Sequence, residues 1–209
     1  MSIQDIFNAV ISYDRLGIAA LTEKEITAGT SVQRILNQGL IAPMDEVGRK
    51  FSEGVLFMPE MMMAGQTMKE AMKVLKPHLV GKVASPAGTV VIATVKGDLH
   101  DIGKNLVALM LEGGGFTVHD LGVDVPTEKL VEEARRTQAD IVALSALLTT
   151  TMPAMAETTA ALKTAPREVR VIVGGAPVTE AFAQKIGADG YAENGPKAVE
   201  LARTLLGPR

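Results

Sequence analysis

The spacing of hydrophobic positions changes once along the chain, near residue 88. From the amino terminus to about residue 76, apolar residues recur every three or four positions and strand-like alternation is almost absent. Ser2 followed by Asp5 predicts the start of a first helix, and Gly29 predicts the end of a second. Pro43 and Pro59 suit the first turns of two later helices. This part of the chain is therefore predicted to form a bundle of four or five short helices.

After residues 77–88, which are rich in proline and glycine and are predicted to be an interdomain linker, strands alternate with helices. The predicted strands are Thr89–Val95, Thr117–His119, Ile141–Leu144, Val171–Val173 and a short fifth around Tyr191. Five βα units in about 120 residues predict a doubly wound parallel sheet of flavodoxin-like, Rossmann-like type. The chain is expected to be an α/β protein with a helical bundle in residues 1–86 and a five-stranded sheet domain in residues 87–209.

The composition of the chain excludes several classes of site and partner. The chain has no cysteine, which excludes disulfides, thiolate zinc sites and cysteine-ligated iron–sulfur clusters. A net charge of -3 without a Lys/Arg cluster gives no reason to expect a nucleic acid partner. No apolar run has the length of a membrane span, and the amino terminus lacks a basic segment ahead of an apolar one. We therefore expect a cytoplasmic protein without a membrane partner.

The most informative stretch is residues 97–105, which read Gly-Asp-Leu-His-Asp-Ile-Gly-Lys-Asn. They follow the first predicted strand, and open α/β sheets bind ligands at the carboxyl ends of their strands. A lone loop histidine is usually a surface residue, but Asp98 can accept a hydrogen bond from one nitrogen of His100 and leave the other free for a metal. No second histidine or thiolate accompanies His100, so the other ligands of such a metal would come from a macrocycle.

The other loops at this edge are small, hydroxylated and rich in glycine, which lets a bulky group approach the backbone. In the usual strand order, the His100 loop and the Ser145 loop face each other across the switch point between strands one and three. The dinucleotide fingerprint and the P-loop are both absent. A flavin site stays open as an interpretation, although aromatic residues to stack on a flavin are almost absent.

The fifth predicted helix is expected to end at about Leu75 and is rich in methionine. Four methionines are predicted to share one face, with Met62 and Met63 alongside: Met58, Met61, Met68 and Met72. One interpretation is a methionine-rich bundle core. The other is a soft apolar surface that lies against a large flat ligand, and the pattern alone leaves both open.

Three short motifs follow the first strand, with 41 and then 26 residues between them: Asp98-x-His100-x-x-Gly103, Ser145-x-Leu147 and Gly174-Gly175. Together they resemble the cobalamin-binding signature of methionine synthase and of the corrinoid proteins that serve methyltransferases. Residues 51–62 resemble the helical cap of that family, whose apolar side chains cover the methyl face of the corrin. The resemblance therefore spans nearly the whole chain.

The resemblance implies that cobalamin binds base-off, with its nucleotide tail in the sheet domain and His100 as the lower axial ligand of cobalt. Asp98 would bond the other imidazole nitrogen. Thr151, where methionine synthase has serine, would complete the hydrogen-bonded relay that runs from His100 through Asp98. The remaining implied cofactor contacts are Gly97, Leu99, Asp101, Ile102, Gly103, Ser145, Leu147, Thr149, Gly174, Gly175 and Gly195 in the sheet domain and Phe51, Met58, Met61 and Met62 in the cap.

The implied function is that of a carrier that is not catalytic alone. Cycling between Co(I) and methyl-Co(III), it would take a methyl group from a substrate-specific methyltransferase and give it to a second one that serves tetrahydrofolate or coenzyme M. A reductive activator is a further implied partner, and the linker is the candidate hinge for moving the cap. The methyl donor and the oligomeric state stay open.

Two alternative functions share parts of this pattern. A cobalamin-dependent sensor would have the same cap and sheet, but the chain offers neither spare length nor a basic helix for an effector module. The small subunit of an adenosylcobalamin mutase would lack the helical cap, so residues 1–76 argue against it.

Overall fold

The computed structural model describes residues 2–79 and 87–207. They belong to two compact units, Met1–Pro86 with Gly113–Gly115, and Ala87–Glu112 with Phe116–Arg209. The stretch predicted to be a linker and hinge lies largely outside the described residues. Within the described residues, no helix is long and apolar enough to cross a bilayer.

The first unit is helical, as its spacing of apolar residues predicts. Its elements in chain order are α1 (Ile3–Ile11), α2 (Ile18–Thr27), α3 (Val32–Arg34), a π-helical segment (Ile35–Ile41), α4 (Ala42–Ser52) and α5 (Met58–Leu79). The carboxylate of Asp5 accepts a hydrogen bond from the backbone N–H of Ser2 at 2.7 Å, which starts α1. Gly29 follows α2 with a φ of 82°.

Two features of the helical unit differ from the prediction. The third helix widens into the π-helical segment at the point where Gly39 passes close to α1, since a Cβ at Gly39 would lie 3.2 Å from Ile6 Cγ2. The fifth helix does not end at Leu75 but continues through Pro77 to Leu79. A proline removes one backbone donor, and one missing bond in the last turn does not end a helix of 22 residues.

The methionines of α5 divide into buried and exposed side chains. Met61 and Met68 are buried in the core, with 0% and 3% of their surface exposed. Met58, Met62 and Met63 each expose about two-fifths of theirs. The methionines predicted to share one face therefore differ in burial, since Met58 at the start of the helix is exposed.

The second unit has the predicted alternation of strands and helices. Its elements are β1 (Thr89–Thr94), α6 (Ile102–Gly113), β2 (Thr117–Asp120), α7 (Thr127–Arg136), β3 (Ile141–Ser145), α8 (Met152–Lys163), β4 (Arg170–Gly174), α9 (Glu180–Lys185), β5 (Gly190–Tyr191) and α10 (Gly195–Leu206). All strand pairs are parallel, in the order β2-β1-β3-β4-β5. The predicted fold class, a doubly wound sheet with an amino-terminal helical bundle, is confirmed.

The sheet is buried on both faces, as expected of parallel strands covered by crossover helices. On one face, Val91 and Ala93 of β1 belong to a core that includes Leu130 of α7 and Met155 of α8. The chain leaves β1 towards β2 on one side of the sheet and later returns to β3 on the other side. The loops that follow β1 and β3 therefore meet at the carboxyl edge, at the predicted switch point.

Candidate functional site

The centre of this edge is the side chain of Asp98, which has no exposed surface. The loop after β1 turns it inward, beneath the imidazole of His100. One carboxylate oxygen, Oδ1, accepts hydrogen bonds from the backbone N–H of His100 at 3.0 Å and from His100 Nδ1 at 2.7 Å. Asp98 therefore fixes both the backbone and the ring of His100.

The other oxygen, Oδ2, is held by the loop after β3. It accepts hydrogen bonds from the backbone N–H groups of Leu147 at 2.7 Å and Leu148 at 3.3 Å, and from Thr151 Oγ1 at 2.8 Å. This is possible because β1 and β3 are adjacent, with Thr94 opposite Ser145 at their carboxyl ends. One carboxylate thus connects the two loops of the switch point.

The hydrogen bonds to Asp98 decide its charge. Burial by itself raises the pKa of the carboxyl, but the N–H groups of Leu147 and His100, the hydroxyl of Thr151 and the His100 ring together outweigh burial. They hold the pKa of Asp98 well below its ordinary value of 3.8. Asp98 is therefore ionised at neutral pH, as an acceptor for an imidazole N–H must be.

The ring of His100 is half exposed. An ionised Asp98 can only accept, so Nδ1 of the neutral ring carries the proton and Nε2 keeps its lone pair. Among the described residues, none hydrogen-bonds Nε2. The buried hydroxyl of Thr94 donates to the His100 carbonyl at 2.8 Å and fixes the loop from below. This arrangement presents one imidazole nitrogen as a ligand.

Thr151, at the start of α8, is nearly buried, and its hydroxyl has two acceptors within reach. Oγ1 lies 2.8 Å from Asp98 Oδ2 and 2.9 Å from the carbonyl oxygen of Leu148. A hydroxyl has one proton, so it donates to only one of them at a time. The methyl group that distinguishes threonine from serine lies at ordinary contact distance, 3.7 Å, from the position of a Cβ on Gly97. The site therefore has room for threonine.

The other predicted residues of these two loops are mostly exposed. Leu99 and Ile102 expose 71% and 69% of their surface, and Leu147 exposes 43%. Ser145 is half-buried, and Thr149 and Asp101 are exposed. These aliphatic side chains lie in or next to the two loops and stay exposed, which is unusual for large apolar residues and typical of a ligand surface.

Gly103 is the second residue of α6, and nothing among the described residues requires a glycine there. Its φ is not positive, its surface is exposed, and a Cβ would meet no atom within 4 Å. A glycine in a helix normally reduces stability relative to alanine. The open space above Gly103 is what a bulky ligand close to the backbone would need.

Gly174, Gly175 and Gly195 lie in close packing of the chain itself. A Cβ at Gly175, whose φ is 128°, would lie 1.9 Å from the carbonyl oxygen of Ala146, and one at Gly174 would lie 2.8 Å from that of Ala192. A Cβ at Gly195 would lie 2.9 Å from Met110 Cγ in α6. Backbone packing is therefore a sufficient reason for these glycines, and their predicted contact with a cofactor tail stays a prediction.

The four predicted cap residues lie in the helical unit and differ in exposure. Phe51 is half-buried, Met58 and Met62 expose about two-fifths of their surface, and Met61 exposes none. Met61 could therefore contact a ligand only if the helix repacked. Three exposed apolar side chains of the same segment were not predicted: Val55, Phe57 and Met63.

Other contributors to the site were also missed. Leu148 acts through its backbone N–H, and Thr94 through a hydroxyl inside a strand, so neither shows as a motif. Asp124, which bonds the backbone N–H of Gly97 at 2.7 Å, lies in the loop after β2. Because ligand loops follow the carboxyl ends of parallel strands, the loop after β2 is also a candidate for the site, and that position is the signal that could have pointed to Asp124.

The donor set fits a metal that brings its own equatorial ligands. The described residues contain no group of three or more His, Cys, Asp or Glu side chains that could hold a metal ion. They do present a single oriented imidazole, exposed aliphatic side chains in or next to the same loops, and open space at Gly103. These features suit the lower face of a corrin ring.

Comparisons with known proteins agree with this geometry. Residues 88–200 match the family model described as "B12 binding domain", and residues 2–76 match a second model with the same description. The dimethylamine corrinoid protein 1 of Methanosarcina acetivorans is 44% identical over 98% of this chain and 97% of its own length. The chain thus belongs to the family of B12-binding corrinoid proteins that serve methyltransferases, and its cofactor is a corrinoid.

Solved structures give the same assignment. A chain of the methanol:cobalamin methyltransferase complex MtaBC from Methanosarcina barkeri aligns with a TM-score of 0.88 and 30% identity, over 98% of this chain and 79% of that one. A cobalamin-binding protein from Desulfitobacterium hafniense DCB-2 aligns with a TM-score of 0.81 and 33% identity, over 99% of this chain and 100% of that one. Both the helical unit and the sheet unit are thus shared with corrinoid-binding proteins.

The Asp98→Asn substitution should destabilise the ligand-free chain at pH 7 by about 1–3 kcal/mol, because the amide cannot accept all of the buried donors. The pKa of Asp98 is lowered by folding, so the ionised group stabilises the fold fully above about pH 4, and this contribution is lost as the pH falls through the folded-state pKa. Urea unfolding at several pH values measures it. The gap between wild type and Asp98→Asn should narrow as the pH falls below about 4. A gap that stays unchanged or widens below about pH 4 would contradict this assignment of charge.

Substitutions at Gly103 should separate stability from cofactor binding. Alanine or leucine there meets open space and should leave the stability of the ligand-free chain unchanged or slightly raised. An added methyl group in a packed cofactor interface costs about 1–3 kcal/mol, so Gly103→Ala should weaken corrinoid binding about tenfold and Gly103→Leu should weaken it further. Titration with hydroxocobalamin, followed by absorbance, measures this. Equal affinities across the size series would show that no ligand lies above Gly103.

Proposed function

We propose that this chain holds its corrinoid base-off, with His100 Nε2 as the lower ligand of cobalt, and carries a methyl group between two methyltransferases. The observation that supports this most is the half-exposed imidazole whose Nδ1 is bonded to a buried, ionised Asp98. A carboxylate bonded to the far nitrogen of a ligating histidine fixes its tautomer and makes it a better ligand. The exposed aliphatic side chains in or next to the two loops match an apolar macrocycle in kind.

When bound, the corrinoid would supply the methyl-transfer chemistry, and His100 would hold its metal with the support of Asp98 and Thr151. The chain would contribute one ligand to the metal, the imidazole of His100. While His100 ligates, Asp98 accepts from Nδ1 and the Thr151 hydroxyl stabilises the carboxylate. Asp98 would keep the His100 ring in the same orientation whether or not Nε2 holds the corrinoid, because its hydrogen bond is to Nδ1.

For the methyl donor, we propose a methylamine. The supporting observation is that the relative with 44% identity over almost the whole chain is a dimethylamine corrinoid protein, whereas the chain from the methanol system is 30% identical. The donor would be recognised by a partner methyltransferase, and a second methyltransferase, serving tetrahydrofolate or coenzyme M, would remove the methyl group. A reductive activator would restore Co(I) after accidental oxidation.

The helical unit is proposed to act as a cap on the methyl face of the corrin. Its exposed apolar segment supports this role, because Met58, Met62 and the half-buried Phe51 offer soft, adaptable surface. Each partner enzyme would need that face uncovered to reach it.

The His100→Ala substitution should remove the protein ligand from cobalt while leaving the fold intact, because the ring is half exposed. The matched control for the spectra is His78→Ala, which alters an exposed histidine of α5, outside the sheet domain. Both chains would be loaded with hydroxocobalamin and reduced to the Co(II) form. Absorption and electron paramagnetic resonance spectra should change for His100→Ala alone, and methyl transfer from dimethylamine, with a dimethylamine methyltransferase, should fall by about tenfold or more.

Identical spectra and identical methyl transfer for His100→Ala and wild type would show that His100 is not the ligand. If the spectra of His100→Ala change while methyl transfer does not fall, the role of His100 is limited to holding the cofactor. Methanol with its own methyltransferase, run in parallel, tests the proposed donor class.

A further inference from the structure

The loop between β2 and α7, residues 121–126, runs beside the end of β1 as an added piece of sheet. Leu121 N donates to the carbonyl of Ile92 at 2.9 Å, and Thr94 N donates to that of Gly122 at 3.0 Å. Val125 N then donates to the carbonyl of Thr94 at 3.1 Å. The loop is therefore fixed to the strand from which the His100 loop emerges.

Within this loop, Asp124 bonds both ends of the Gly97–Asp98 dipeptide. Its Oδ1 accepts from the N–H of Gly97 at 2.7 Å, and its own backbone N–H donates to the carbonyl of Asp98 at 2.9 Å. Asp124 has a φ of 52°, a conformation that aspartate tolerates better than most residues but that still has a cost. Gly97, with a φ of 84°, makes the complementary turn on the other side.

A second connection lies at the far end of the His100 loop. Lys104, in the first turn of α6 and only 3% exposed, forms an ion pair with Asp120 at the end of β2. The other oxygen of Asp120 accepts from Gly122 N at 2.9 Å. The β2–α7 side of the sheet thus holds the His100 loop at its beginning and just after its end.

We propose that Asp124 is a positioning residue for His100. By fixing the backbone of Asp98 from the side opposite the β3 loop, it holds the Asp98 carboxylate under the imidazole before any cofactor binds. The cost of ordering the loop is then met during folding and not during cofactor binding, which raises affinity and favours ligation through His100. The inference rests on the proposed function only in taking His100 as the ligand.

Three substitutions test it. Asp124→Gly removes the acceptor and keeps the positive φ without strain, so the chain should fold. Asp124→Asn keeps an acceptor oxygen and also tolerates this conformation. Gln138→Gly is the matched control, since Gln138 has a φ of 53° in the turn after α7 and lies outside the site.

Two measurements are made on each full-length chain. Amide hydrogen exchange of the ligand-free chain follows His100 and Leu147, whose N–H groups bond Asp98 and not Asp124. Electron paramagnetic resonance of the Co(II) form, with the protein labelled with ¹⁵N and unlabelled hydroxocobalamin as the source of cofactor, gives the fraction of cobalt with a nitrogen ligand from the protein. The isotope distinguishes this nitrogen from the cofactor's own tail.

We expect exchange at His100 and Leu147 to be about tenfold faster in Asp124→Gly, the effect of losing one hydrogen bond, with a smaller protein-ligated fraction. Asp124→Asn should restore both, and Gln138→Gly should match wild type. The proposal is overturned if Asp124→Gly matches Gln138→Gly in both measurements, or if Asp124→Asn is as impaired as Asp124→Gly. A wild-type chain without a protein nitrogen on cobalt would instead overturn the proposed function, and the exchange rates of the ligand-free chain would still decide the role of Asp124.

Discussion

The buried carboxylate of Asp98 is the interaction on which the rest of the site depends. A carboxylate without exposed surface stays ionised only if donors surround it, and both of its oxygens have donors here. Because it is ionised it can accept from the imidazole, and because it accepts, the free nitrogen of the ring is the one that can ligate. The tautomer of His100 is thus a consequence of where Asp98 is buried.

This burial depends in turn on the order of the strands. The donors to Oδ1 come from the loop after β1 and those to Oδ2 come from the loop after β3, two loops separated by about 45 residues of sequence. They meet only because β1 and β3 are neighbours with connections that diverge. The close packing of Gly175 against Ala146 keeps the β3 and β4 loops compact at the same edge. Fold and site are therefore specified together.

The sequence predicts the parts of this structure that depend on local pattern. Alternating strands and helices give the sheet, and the spacing of Asp98, His100 and Ser145 gives the candidate site. It does not predict Pro77 inside α5, because a proline normally signals a helix end, whereas here it lies in the last turn of a 22-residue helix. Nor does it predict the role of Asp124, because that role depends on one turn geometry and a backbone N–H in another loop. Backbone donors and close approaches between loops carry no sequence signature of their own.

The surroundings of the glycines and methionines also carry no sequence signature. Gly174 and Gly175 read as space for a ligand, but the nearest atoms are carbonyl oxygens of the chain itself. Gly103, in the same motif set, faces open space, and the sequence offers no means of telling the two cases apart. Met61 and Met62 are adjacent and chemically identical, yet one is in the core and the other on the surface, which depends on helix phase relative to neighbours.

The tautomer of His100 in the ligand-free chain tests most directly whether Asp98 prepares His100 as a metal ligand. Nitrogen-15 NMR of the histidine side chains, recorded above the pH at which the imidazoles titrate, distinguishes a proton on Nδ1 from one on Nε2. We expect neutral His100 to carry its proton on Nδ1, bonded to Asp98, and we expect the Asp98→Asn substitution to let the other tautomer appear. A wild-type His100 with its proton on Nε2 would contradict the proposed role of His100, because the nitrogen proposed as the cobalt ligand would then have no free lone pair.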